Sequence, residues 1–359
     1  MLTNPEGGCF LKMLTERQLL ILHAIIDDYI MTGVPVGSRT LSKREDIRFS
    51  SATIRNEMAD LEEEGFLEQP HTSAGRLPSD KAYRLYVDTL MRVSALKPEE
   101  VRYIRSYFTD KINELETAIG NAAKVLSDMT KLTSVVMAPQ YSTVEISRLQ
   151  LVKLSGTRAL LVIVFSTGTL KDIVINVPKD LDAAYLDMVS NMLTERVRGL
   201  TLFQAINEIT DIVLTDMPIQ REFMDSILDA VRANAASGNR HKLVLGGTQN
   251  IFNHPEYQDF NKAKSFLQLI EEKEPLYNLL SSTTGMEFTI RIGKENDLDE
   301  LKDMSIVTAT YKIGGRNVGS FGVIGPTRMN YAKVLSVLGF VGNSMNELLS
   351  KPSDDDRKG

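Results

Sequence analysis

The apolar residues of this 359-residue chain change their spacing more than once, and the order of those changes limits the folds open to it. Up to about residue 131 they recur at steps of three and four, as in helices that bury one face. The step becomes two over 144–154, 158–165 and 170–177, which are separated by the turn sequences Ser155-Gly156-Thr157 and Ser166-Thr167-Gly168-Thr169. Helical spacing returns over roughly 182–235, and an isolated strand at 241–246 and a helix over about 259–280 follow. Strands come back at 287–292, 305–313 and 318–324, with Gly314-Gly315-Arg316-Asn317 turning the last hairpin, before a final helix over about 330–350. Strands, then mostly helices, then strands again predict an α+β domain interrupted by an insertion. A chain this long is expected to form two or three domains rather than one core.

Ahead of the strands, short helices crowd together. Residues 14–32 put Leu19, Leu22, Ile26 and Tyr29 on one face, Gly33 stops the helix, and Val34-Pro35-Val36 is extended. Ser38 is suited to cap a second short helix over 38–44, and Ser50 or Ser51 a third over 52–64, closed by Gly65. Ile54, Met58 and Leu61 point inward from that third helix. Phe66-Leu67, a polar loop with His71, Ser73 and Gly75, and Pro78 come next. Ser79 or Asp80 then caps a helix burying Tyr83, Val87 and Leu90. Three helices, a two-strand ribbon and a helix make the order of a winged helix-turn-helix.

Residues 98–131 carry the longest helical stripe: Val101, Ile104, Phe108, Ile112, Leu115, Ile119, Ala122, Leu126 and Met129. Two packings satisfy it, a coiled coil between subunits or a helix, broken near Thr109-Asp110, lying on its own sheet. Few charges flank the seam as a coiled coil prefers, which favours the second.

Charge argues against indiscriminate binding to polyanions. The net charge is −6, and residues 1–95 hold 11 Lys+Arg against 14 Asp+Glu. A DNA contact therefore needs a few basic groups gathered on one face. The single cysteine, Cys9, forms no internal disulfide, which fits a reducing cytoplasm. No apolar run approaches the roughly 20 residues of a membrane span. Residues 1–12 lack the pattern of a signal peptide and read as a tail or extension before Met13, and 351–359 as a solvated tail.

The third helix carries the residue types that base reading needs. Ala52, Thr53, Arg55, Asn56 and Ala59 flank or oppose its buried face. Small residues allow close approach to the major groove, Arg suits guanine and Asn suits adenine. Ser50, Ser51 and Thr53 are candidate phosphate donors. In the loop at 71–76, Arg76 is the candidate anchor with Thr72 and Ser73 as lesser donors. Arg39, Lys43 and Arg44 on the second helix suit the DNA backbone, and suit an ordinary solvated face equally well. The acidic run Glu62-Glu63-Glu64 would have to point away from DNA.

Catalytic signatures are missing from the sequence. His23, His71, His241 and His254 have no metal-ligand spacing, and neither a Walker loop nor a GxSxG elbow occurs. Gly319, Gly322 and Gly325 recur every third residue and read as close packing between strands rather than a phosphate cradle. No cofactor or metal is expected.

At these residues the chain resembles the HrcA family of heat-inducible transcription repressors. The matching segments are VPVGSRTLSK (34–43), SSATIRNEMADLEEEGFLEQPHTSAGRLPSDKAYRLYVD (50–88) and, more loosely, VGSFGVIGPTRMNYAKV (318–334). Leu77 and Ala82 depart conservatively from the family pattern, where isoleucine and glycine are expected. The resemblance implies a winged-helix domain (13–92), a GAF-like domain (93–180 plus 285–350) and a dimerising domain inserted in it (181–284). It places the recognition helix on 51–64 and the wing on 66–78. It also implies a homodimer on a palindromic operator called CIRCE in front of chaperone genes, with the chaperonin GroEL as activity partner. A ligand-sensing GAF-like domain is the rival reading, to which the apolar strands at 160–165 and 305–324 answer better as filled core than as pocket.

Overall fold

The computed structural model of the chain describes residues 14–71, 74–109, 115–138, 144–166, 168–214, 221–238, 243–281, 288–313 and 316–349. The expected tails with Cys9, the turn residues Gly314 and Gly315, and Ile112 of the long helical stripe lie outside them.

Helix α1 (Glu16–Thr32) opens with a reciprocal box in which the Gln18 amide donates to the Thr15 hydroxyl and the Thr15 amide to the Gln18 side chain. Gly33 closes it at φ 66. Helix α2 (Ser38–Leu41) is shorter than expected, with Gly37 at its cap. Ser38 is buried and its hydroxyl meets Ser51 at 3.1 Å, so it ties two helices together instead of capping one. Helix α3 (Ser51–Glu63) is capped by Ser50, whose hydroxyl accepts from the Thr53 amide at 3.1 Å. Strands β1 (Leu67–Glu68) and β2 (Leu77–Pro78) pair antiparallel, and Val36 bridges to Arg76 through two backbone hydrogen bonds of 2.8 and 2.9 Å. Ser79 caps α4 (Asp80–Leu85), which widens into a π turn over Tyr86–Leu90.

The stripe at 98–131 is two helices, α5 (Pro98–Ser106) and α6 (Leu115–Thr130). Strand β3 (Thr133–Met137) follows at once. Then come β4 (Ile146–Ser155), β5 (Arg158–Phe165) and β6 (Leu170–Asn176), and the helices α7 (Ala183–Val197), α8 (Leu202–Leu214) and α9 (Arg221–Gly238). Strand β7 (Leu243–Gly246) leads through two 3-10 turns to α10 (Phe260–Glu272) and α11 (Glu274–Ser281), which break at Lys273 with φ 52. Strands β8 (Phe288–Ile292), β9 (Met304–Ile313) and β10 (Arg316–Pro326) and helix α12 (Tyr331–Leu349) complete the α+β chain.

Two larger sheets result. One has five antiparallel strands in the order β7-β3-β10-β9-β8. Val136, Val307, Tyr311, Phe321 and Val323 join the core beneath α6 and α12. Val135, Met137, Ile306 and Ile324 face a second core with Leu243, Ile251, Tyr257 and Phe266. Among the described residues the α6 face is thus covered within the chain, and this helix packs on its own sheet. Strand β3 escapes a period-two search because all five of its residues are buried between the two layers. The glycine triplet is packing: a Cβ on Gly322 would collide with the Val307 carbonyl, and one on Gly319 with the Tyr311 ring.

The other sheet, β4-β5-β6, shares no ladder with the first and is covered by α7 and α9. The expected GAF-like domain joins the strands at 144–177 to the C-terminal strands, with the insertion beginning at 181. Among the described residues β4–β6 pair only with one another, and β7 pairs with β3 in the five-stranded sheet. A period of two identifies a strand but not its sheet, so the spacing does not predict this pairing. Among the described residues no helix is long and apolar enough to cross a membrane.

Candidate nucleic-acid interface

The buried face of α3 determines its free face. Ile54 and Leu61 are fully buried and Met58 nearly so, which turns Ala52, Arg55, Asn56 and Ala59 outward at steps of three and four. Arg55 and Asn56 bond to no other described residue. Two free forked side chains therefore stand between two alanines on the first turns of a helix. Ser50 is exposed beside them, sharing a 2.9 Å hydrogen bond between hydroxyls with Thr53.

Four carboxylates of this region are paired with arginines inside the fold. Glu57 is buried and ion-paired with Arg17, whose guanidinium lies 5.9 Å from the centre of the Phe49 ring. Glu62 accepts from Arg76 Nε at 2.8 Å. Arg44 grips Asp28 at 2.5 Å and Asp46 at 2.8 Å, and these carboxylates, Asp46 foremost, raise its pKa further. Arg44 is thus a fold residue. Asp60 and Glu63 remain exposed on α3, beyond Arg55 toward its C-terminal end, and Glu45 in the turn before it.

Against them stand the exposed cations Arg39, Lys43, Arg48 and Arg55. Sequence reasoning missed Arg48. Its signal was its place two residues before the cap of α3, where a side chain can reach the same surface as the helix N-terminus. Lys43 sits in the turn after α2 rather than on the helix.

The loop between β1 and β2 is drawn close to the extended segment before α2. A Cβ on Gly75 would collide with the backbone of Pro35 and Val36, so only glycine permits the approach. Gln69 donates to the Ala74 carbonyl at 3.2 Å and helps shape the turn. Arg76, the expected anchor of this loop, is only 19% exposed and already holds Glu62. Thr72 and Ser73 lie outside the described residues.

Other chemistry finds little support. Among the described residues no three His, Cys, Asp or Glu side chains converge as a metal site. A cleft of about 270 Å³ between α5 and α12 is lined by Arg105, Phe108 and Phe340, and a groove of about 680 Å³ by Glu272, Glu274 and Arg291. Neither is lined by β5, β9 or β10, where a sensor pocket was the rival expectation.

The family model described as the HrcA protein C terminal domain matches residues 116–335. A protein of Halalkalibacterium halodurans named heat-inducible transcription repressor HrcA is 40% identical over 338 residues, covering 94% of this chain and 98% of its own. Its namesake in Ruminiclostridium cellulolyticum is 40% identical over 348 residues, covering 96% and 99%. A solved structure described as a hypothetical protein shares the fold, with a TM-score of 0.64 at 23% identity over 94% of this chain and 99% of that one. With the family model spanning more than half its length and these relatives matching nearly all of it, the chain belongs to the HrcA family of heat-inducible transcription repressors, a family that is not enzymatic.

Proposed function

We propose that residues 14–90 are a winged helix-turn-helix that reads operator DNA, with α3 in the major groove and the β1–β2 loop as the wing. The single observation that carries this reading is the exposed pair Arg55 and Asn56, whose side chains have no partner among the described residues, between Ala52 and Ala59. Arg39, Lys43, Ser50, Ser51 and Thr53 supply the surrounding DNA-backbone contacts, joined by Arg48. Thr72, Ser73 and Arg76 serve the wing, Arg76 by exchanging Glu62 for a phosphate. The relatives' name, repressor, supports DNA binding as the activity.

A single head buries too little surface for tight site selection, so the active form is a two-fold dimer on an inverted repeat, the CIRCE operator that the resemblance implies. The dimer face lies on the inserted body, here residues 146–238. Its sheet turns outward a row in which Leu160 sits between Val152 and Val174, with exposed Leu154 and Leu170 nearby. A contiguous apolar face of this kind marks an interaction surface. The five-stranded sheet with its helices is the GAF-like domain, with a filled core. GroEL restores the DNA-binding form in the cytoplasm after heat has displaced it.

The test is titration of the full-length protein against an inverted-repeat operator and a scrambled duplex at fixed salt. Operator binding on the order of 10³-fold tighter is expected. Equal affinity for both would remove the reading. After mild heating, recovery of operator binding should require GroEL and ATP, and recovery without them would delete the chaperonin from the scheme.

A further inference from the structure

The chain segment joining the head to the rest, 91–97, is mostly exposed and without regular structure. Such a linker would let the head swing, yet the head is held at three separate points. At the first, the Lys294 amide donates to Asp80 at 3.0 Å. Arg84 there ion-pairs with Glu295, donates to the Ile290 carbonyl at 2.8 Å and meets Asp88 at 3.2 Å. Gly293 adopts φ 53 at this contact, where a Cβ would collide with the Asp80 carboxylate.

At the second joint, Arg328 ion-pairs with Glu256 and donates to the Ile30 carbonyl at 3.4 Å. Its guanidinium covers Gly33, the residue that ends α1. The buried rings of Tyr83 and Tyr331 meet 6.0 Å apart at a third point of contact.

Arg84 and Arg328 are 16% and 13% exposed, so each guanidinium is held away from water by fixed acceptors on both bodies. A planar fork bonded to a carboxylate and a backbone carbonyl fixes direction as well as distance. Two such clamps, one on α4 and one at the end of α1, remove the rotations that the linker would allow. α3 is packed on α1, so its aim relative to the five-stranded sheet is fixed too.

We infer that Arg84 and Arg328 are positioning residues that set the spacing of operator half-sites the dimer accepts. This rests on the operator-reading function proposed above. A two-fold dimer with rigid heads matches one spacing, because adding about five base pairs turns the second half-site to the opposite side of the duplex. Heads on free linkers would accept a range of spacings at lower affinity, since each would be ordered only on binding.

The experiment uses the full-length protein with Arg84→Met, Asp88→Asn and Arg328→Met, which removes the clamps without leaving the buried Asp88 charge unpaired, while the partly exposed Glu295 and Glu256 turn to water. Gly293→Ala is a second variant that changes no charge. Binding is read on the inverted repeat at its natural spacing, on repeats lengthened by about two and about five base pairs, and on a single half-site. Hydrogen exchange of the segment 288–296 reports the Lys294–Asp80 contact directly. The wild type should lose about tenfold or more on the longest spacer. The clamp-less variant should bind the natural spacing several-fold more weakly, lose most of the spacer preference, keep half-site affinity and exchange faster over 288–296. Gly293→Ala, which leaves the Arg328 clamp in place, should also exchange faster there and lose part of the preference. Variants that keep the wild-type spacer preference overturn the inference while leaving operator binding intact. A wild type that treats operator and scrambled duplex alike overturns the operator reading, and this inference with it.

Discussion

Arg76 and Glu62 show how one residue can answer to two partners. Their ion pair, 2.8 Å long and partly exposed, contributes modestly to stability, about 1 kcal/mol or less. A phosphate would compete with Glu62 for the same guanidinium. Glu62→Gln should therefore raise affinity for any duplex and steepen the salt slope by about one unit, measured by anisotropy across a salt series. An unchanged slope would assign Arg76 to the fold alone. The positions of Arg55 and Asn56 could be read from sequence because Ile54, Met58 and Leu61 set their direction within one helix. The pairing of Arg76 could not, because Glu62 lies 14 residues away and faces it only once the hairpin has formed. Neither could that of Arg17 with Glu57, 40 positions on, which meet only once α1 packs on α3.

At the scale of elements, α3 reads bases only while its inner face is anchored. Ile54 is fully buried, and Ile54→Ala should cost about 2–5 kcal/mol in a denaturation experiment. A loss under about 1 kcal/mol would mean the helix is held chiefly by its ends. The 3-10 turns after β7 carry a different sensitivity. His254 has its Nε2 buried without an acceptor, and burial, with Arg328 adding to it, holds its pKa below the ordinary histidine value. The unfolded chain then binds more protons than the folded one below about pH 6.5, so stability is full above that value and falls as the pH drops. Thermal melts at about pH 7.5 and 5.5 should fall further for the wild type than for His254→Gln. Equal falls would remove His254 as the cause. The strongly periodic elements, α1, α3, β5 and α12, were evident from their spacing. The stripe at 98–131 divides where Thr109-Asp110 interrupts it, as expected, into α5 and α6. Strand β3 was invisible because burial on both faces erases alternation.

For the whole molecule, the α+β class followed from the order of elements, but the partition into two sheets did not. The pairings of β3 with β7 and with β10, on the order of a hundred residues or more apart, show which strands share a sheet. That partition exposes the outer face of β4–β6. Leu160→Asp there should yield monomers by sedimentation, with folded circular dichroism and only half-site affinity for DNA. A dimeric variant would move the interface to another surface. The central claim, that α3 reads sequence, is tested most directly by Arg55→Ala and Asn56→Ala, each titrated at one salt concentration against the inverted-repeat operator and a scrambled duplex. A loss of about 1–3 kcal/mol on the operator and little on the scrambled duplex is expected. Equal losses on both duplexes, or no loss on either, would contradict it.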